Sequence, residues 1–209
     1  LDAALIIESN DFIEKIDDIR KENKIWEELT LFPGIKQFDN DLEYITKLSF
    51  KNEIIKSLTK DNQIIASAHK IGKNDIGFLF YVKLKNTRDK KFVLQTLTEL
   101  ITSGQNITKR DYNNAKIYTL KTNAKELNFS FLKGVFIYSA SALLIENAIR
   151  QSEEELSIFD DHGFSKVRKT AGKNVDANIY LNLKKLNEII SFALNDKQQS
   201  VIAKFSNLA

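Results

Sequence analysis

Gln63-Ile-Ile-Ala-Ser-Ala-His-Lys-Ile71, Gly72-Lys73-Asn74-Asp75 and Ile76-Gly-Phe-Leu-Phe-Tyr-Val-Lys-Leu84 are two runs rich in β-branched and aromatic residues parted by four turn formers. The stretch reads as a β-hairpin. Pairing Ile71 with Ile76 sets Ser67 opposite Phe80, His69 opposite Phe78 and Ile65 opposite Val82. Ile65, His69, Ile71, Ile76, Phe78, Phe80 and Val82 then share one face that must be buried. The other face, Ile64, Ala66, Ala68, Gly77, Leu79 and Tyr81, is small or moderately apolar and predicts a helix packed on it.

Upstream, the apolar run of residues 3 to 8 predicts a buried strand, with Ser9-Asn10-Asp11 as the N-cap of a helix carrying Phe12, Ile16 and Ile19. Helical spacing resumes at Lys24 with Ile25, Trp26 and Leu29, stops at Pro33-Gly34, and returns through Phe38, Leu42, Ile45 and Leu48, then Ile54, Ile55 and Leu58. Three or four short helices are therefore expected over residues 11 to 60. Downstream, Asn86-Thr87 caps a helix through Val93, Leu97, Leu100 and Ile101 that ends at Ser103-Gly104. Strands Ala115 to Lys121, Glu126 to Leu132 and Val135 to Ser139 follow, joined by Thr122-Asn123 and by Lys133-Gly134, where Gly134 can take positive φ. A helix with Leu144, Ile145, Ala148 and Ile149 comes next, and residues 160 to 173 read as a polar loop. The expected fold class is α+β, an antiparallel meander sheet with helices packed on it, in the order β-α-β-β-α-β-β-β-α.

The opening recurs near the end. Asp2-Ala-Ala-Leu-Ile-Ile-Glu-Ser-Asn-Asp-Phe-Ile-Glu-Lys-Ile16 aligns with Asp176-Ala-Asn-Ile-Tyr-Leu-Asn-Leu-Lys-Lys-Leu-Asn-Glu-Ile-Ile190, with Asp2/Asp176, Ala3/Ala177, Glu14/Glu188 and Ile16/Ile190 identical. Leu5/Ile179, Ile6/Tyr180, Ile7/Leu181 and Phe12/Leu186 keep apolar character. The reading is a first module over residues 1–174 and the opening strand and helix of a second, truncated one over residues 175–209 that can pack onto the first. This, and Leu1 in place of methionine, predicts a longer natural polypeptide.

Composition narrows the chemistry. The 209 residues are 43% hydrophobic and 28% charged with a net charge of +3, which is ordinary for a globular chain, and no apolar run reaches the roughly 18 residues of a membrane span. Cysteine is absent, which excludes thiol nucleophiles, thiolate metal sites and disulfides. Arginine occurs only at Arg20, Arg88, Arg110, Arg150 and Arg168. The basic clusters Arg88/Lys90/Lys91 and Lys166/Arg168/Lys169/Lys173 are short and interrupted, so solvated faces are expected and no nucleic-acid partner.

No catalytic, cofactor-binding or metal-ligating residue is assigned. His69 reads as a half-buried core ring beside Phe78 and Ser67. Asp160-Asp161-His162 could gather two carboxylates and an imidazole, but adjacent loop residues point apart and no fourth ligand is in sight. A Ser/His/Asp triad passes by count, yet no Gly-x-Ser-x-Gly elbow occurs. Gly72-Lys73 and Gly172-Lys173 lack the flanking residues of a phosphate loop and read as turns. Asp17/Asp18, Glu27/Glu28 and Glu153 to Glu155 read as solvated helix charges, and Trp26 as a staple of its helix onto the sheet. Phe78, Phe80, Phe129 and Phe131 alternate along strands as core residues do. Asn106-Ile-Thr and Asn128-Phe-Ser match a glycosylation sequon to which no weight attaches.

Asp2-Ala-Ala-Leu-Ile-Ile-Glu8, Lys24-Ile-Trp-Glu-Glu-Leu29, Ser67-Ala-His-Lys-Ile-Gly-Lys-Asn-Asp75 with Phe78-Leu-Phe80, and Gly172-Lys-Asn-Val-Asp-Ala-Asn-Ile-Tyr180 together resemble a family of large bacterial cell-envelope proteins known as a domain of unknown function. The resemblance implies a longer polypeptide, a single N-terminal membrane anchor preceding these residues and an extracytoplasmic address, and it carries over no functional residue. The function expected is a non-enzymatic interaction or scaffold module whose partners are envelope proteins. The alternatives are a hydrolase-type enzyme whose site a second module completes, and a carrier of a hydrophobic ligand suggested by the two apolar hairpin faces.

Overall fold

A computed structural model of the chain describes residues 2–10, 12–22, 24–30, 62–73, 75–84, 106–121, 126–154 and 157–185, with single positions at 36, 39, 40, 42, 43, 91, 93 and 95. The strands are β1 (Leu5–Ser9), β2 (Ile64–Lys70), β3 (Ile76–Lys83), β4 (Asn106–Tyr112), β5 (Ala115–Lys121), β6 (Glu126–Leu132), β7 (Val135–Ser139) and β8 (Ala177–Leu181). The helices are α1 (Phe12–Glu22), α2 (Lys24–Leu29), α3 (Ala142–Glu153) and α4 (His162–Lys169), the last preceded by a 3-10 turn at Ile158–Asp160. All strands join one antiparallel sheet in the order β4-β5-β6-β7-β3-β2-β1-β8. The fold is α+β with a meander sheet, as the hydrophobic patterning requires. The helices expected over 45–58, most of the helix expected over 86–104 and the second-copy positions past Lys185 lie outside the described residues.

The sheet carries a core on each face. On one, Phe12 and Ile16 of α1 pack with Ile64, Ala66, Ala68, Phe78, Phe80, Val82, Phe129 and Tyr138. Phe80 stacks on Tyr138 at 4.8 Å and meets Phe12 edge-on at 6.1 Å. On the other, Leu144, Ile145, Ala148 and Ile149 of α3 lie over Leu79, Ile117 and Ile137. Trp26 packs partly buried on the first core, and its Nε1–H donates to Asp39 Oδ1 at 2.7 Å. Arg20 donates to the same carboxylate at 2.5 and 3.2 Å.

Three local expectations are corrected. The hairpin pairs Lys70 with Ile76, one residue from the expected register, because Ile71 N–H bonds the Asp75 carbonyl at 3.0 Å and so joins the loop. Period-2 alternation then turns one strand over: Ile64, Ala66 and Ala68 share a face with Phe78, Phe80 and Val82, while Ser67 and His69 lie with Gly77, Leu79 and Tyr81. Residues Asn106–Tyr112, assigned to no element from sequence, form edge strand β4, and part of the supposed loop from Asp160 is helix α4. Ser9 turns its hydroxyl to the Asn10 and Asp176 carbonyls at 2.8 and 2.7 Å; α1 begins at Phe12, and the cap expected from Ser9-Asn10-Asp11 turns on Asp11, which lies outside the described residues. Gly134 does take positive φ, at 86° beside Lys133 at 45°, giving the tight β6–β7 turn.

Candidate functional site

On the α3 side of the sheet the alternation of β2 sets Ser67 and His69 side by side, two residues apart on one strand. Gly77 faces His69 and brings no side chain against the imidazole. Ser67 Oγ lies 2.8 Å from His69 Nε2, and Asp2 Oδ1 lies 2.8 Å from His69 Nδ1, so a serine, a histidine and an aspartate form one hydrogen-bonded chain. With Nδ1–H donating to Asp2, the neutral ring accepts the Ser67 proton at Nε2. A proton on Nε2 reverses that bond and sends the hydroxyl to the Leu79 carbonyl 3.3 Å away. The hydrogen bond from His69 holds the Asp2 carboxyl down at about 2 against desolvation, and burial pushes the neighbouring Tyr81 phenol up to about 12, a hydrogen bond with Ser67 pulling the other way.

This arrangement has the atom order of a nucleophile, base and orienting acid. Access differs: Ser67 is only 5% exposed and lines neither of the two cavities described next. His69, expected as a half-buried core ring, is buried and does touch Ser67, but Phe78 is on the other face, so that expected neighbour is corrected. Asp2 was missed as a partner because no local pattern links positions 2 and 69.

Beside β1 and β8 a groove of about 740 Å³ runs between the sheet and the 3-10 turn with α4, lined by Ile6, Tyr180, Leu181, Ile158, Phe164 and Val167 with Asp160 and Asp161 at its polar side. Ile6 pairs with Ser67, so this groove begins one strand away from the relay. Phe164 packs on Tyr180 at 5.2 Å, and the Tyr180 hydroxyl donates to Glu8 at 3.1 Å. A smaller cavity of about 390 Å³ lies on the far side of Tyr180 against Arg168, Lys169 and Lys173.

The carboxylates next to His162 are occupied by helix capping. Asp160 accepts the Ser157 N–H at 2.8 Å in a capping box, and Asp161 accepts the Phe164 N–H at 2.7 Å as N-cap of α4. They serve two different helices, with His162 exposed at the first position of α4. Among the described residues no three His, Asp or Glu side chains gather to hold a metal ion. Gly72-Lys73 and Gly172-Lys173 lie in loops, the latter clamped by Asn178, which bonds both the Gly172 N–H and its carbonyl at 3.1 and 3.0 Å. Arg168 covers the Phe159 ring at 4.6 Å.

The acidic pairs divide. Glu27 and Glu28 are exposed as expected. Asp17 is not: it is buried and pairs with Lys21 at 2.5 Å. Glu153 holds the β4–β5 turn through Asn113 and Asn114. No family model, no curated protein and no solved structure matches the chain.

Proposed function

We propose that the chain is a non-enzymatic interaction module of a bacterial cell-envelope scaffold, held outside the cytoplasm by an anchor preceding these residues. The observation that carries the interaction reading is the β8 edge. Ile179 and Leu181 are 62% and 54% exposed on an uncharged strand that, among the described residues, is paired on one side only, with the 740 Å³ groove alongside. Exposed apolar edge strands are the places where a sheet recruits another chain. The envelope assignment rests on the family resemblance. The test is photocrosslinking from position 179 in the producing cell, with position 108 on the opposite edge as control, combined with protease protection on intact cells and spheroplasts. A partner captured from 179 alone, and cleavage from outside, support the reading; equal capture from both positions, or full protection, overturns it.

The second reading, a hydrolase, draws on the Asp2–His69–Ser67 relay. Burial of Ser67 opposes it, because a nucleophile must meet its substrate. Labelling of Ser67 by a fluorophosphonate in the folded chain would establish this reading and defeat the first.

A further inference from the structure

The sequence repeat and the sheet register coincide in a specific way. The repeat aligns Ile6 with Tyr180, and the sheet also pairs Ile6 with Tyr180. Leu5 aligns with Ile179 and pairs with Leu181, while Ile7 aligns with Leu181 and pairs with Ile179. Pairing thus exchanges the two copies, as a two-fold axis through the Ile6–Tyr180 pair would. The strand β1 has two neighbours: β8 across this axis, and β2, against which Leu5 faces Ala68 and Ile7 faces Ala66. By the same relation β8 has β1 on one edge and a place for a β2-like strand on the other.

The backbone agrees. Asn182 N–H donates to the Ala4 carbonyl at 2.9 Å, and antiparallel alternation then turns Tyr180 and Asn178 toward β1 and the N–H and C=O groups of Ala177, Ile179 and Leu181 outward. Their side chains lie on the α1 face of the sheet, where the aligned Leu5 and Ile7 pack against the first core. The two sheet edges also differ. The outer strand β4 carries Lys109, Arg110 and Asp111, charges that discourage strand addition, whereas β8 reads Ala-Asn-Ile-Tyr-Leu. After β8 the chain turns into a helix whose start Asn182 caps by accepting from Lys185 N–H at 3.2 Å, the strand-then-helix order of β1 and α1, although three aligned positions earlier.

We infer that β8 is the first strand of a second module of the same kind, and that its outer edge, unpaired among the described residues, takes that module's β2-type strand, antiparallel, with small residues opposite Ile179 and Leu181, so that both modules share one continuous sheet about the Ile6–Tyr180 axis. This deepens the interaction reading and rests on it, the strand recruited at the β8 edge, and captured from position 179, being that of a second module of the same kind. The test is residue-resolved hydrogen exchange on the 209-residue chain, alone and with a synthetic peptide of the sequence of residues 62–71 at millimolar concentration. The peptide slows exchange at Ile179 and Leu181 about tenfold or more and leaves Tyr180 unchanged; Ile179→Lys abolishes the slowing without changing the melting temperature. No slowing, or slowing that ignores this alternation, overturns the proposal. Slowing of the same amides that grows with chain concentration without peptide also overturns it, since a second copy of the chain then holds the edge and the interaction reading survives. Fluorophosphonate labelling of Ser67 is the distinct result that removes that reading itself.

Discussion

Asp2 and His69 meet across 67 residues of sequence, and the cost of their meeting is set by solvent. The folded carboxyl titrates at about 2 against an ordinary 3.8. Its stabilisation is therefore complete above about pH 4 and is lost as the pH falls through the folded value. Because the Asp2 side chain is 60% exposed, screening keeps this to about 1 kcal/mol or less. Asp2→Asn is expected to lower the melting temperature by a few degrees near neutral pH and to leave it unchanged about one pH unit below the folded value, near pH 1, read by circular dichroism at both. Tyr138 presents the opposite case: its hydroxyl is buried without a hydrogen-bond partner among the described residues, and desolvation pushes its pKa far up. Tyr138→Phe keeps the stacking on Phe80 and removes the unsatisfied group, so the urea midpoint should stay level or rise by the equivalent of about 1 kcal/mol. That His69 is buried was legible in its strand. Its partner was not, because a contact between positions 2 and 69 is made by sheet order, which local alternation does not encode.

At the scale of elements, α3 docks on β3 at a residue with no side chain. A Cβ at Gly77 would stand 2.8 Å from both Ile71 Cγ2 and Leu144 Cδ1, and Leu144 is itself buried in the second core. Gly77→Ala must displace the Ile71 and Leu144 side chains, at an expected cost of about 1–3 kcal/mol by chemical denaturation. On the other face α1, β3 and β7 meet at Phe80, and Phe80→Ala should cost about 3–5 kcal/mol; a near-neutral result would remove that core. Most elements were legible because hydrophobic period and turn chemistry agree. The hairpin register was not, since Ile71 has the apolar character of a strand residue and only its bond to Asp75 places it in the loop. The edge strand β4 was missed for the reason it suits an edge: Lys109, Arg110 and Asp111 hide the alternation. Helix α4 was missed because its apolar face is only Phe164 and Val167, although Asp161 three residues before Phe164 was a readable cap.

For the molecule as a whole, the first and last described strands are neighbours, so β8 reaches its place only through a contact that spans most of the sequence, Leu5 opposite Leu181. The repeat was visible in the sequence, but repeats stack in many ways, and the exchange of Leu5 and Ile7 with Ile179 and Leu181 about Ile6–Tyr180 needed the register. That register can be checked covalently, since the 209 residues contain no cysteine to interfere. Leu5 and Leu181 are directly opposite and, by alternation from the bonded Ala4–Asn182 pair, occupy the closer, non-hydrogen-bonded kind of site. Leu5→Cys with Leu181→Cys should oxidise to a disulfide within one chain, whereas Leu5→Cys with Tyr180→Cys, whose side chains leave opposite faces, should not. Closing so long a loop removes much of the unfolded chain's freedom and can add up to about 5 kcal/mol, so the oxidised first pair should unfold at a markedly higher urea concentration than its reduced form. Equal oxidation of both pairs, or of neither, would mean that β8 does not lie on β1 in this register, and the two-fold relation between the copies would fall with it.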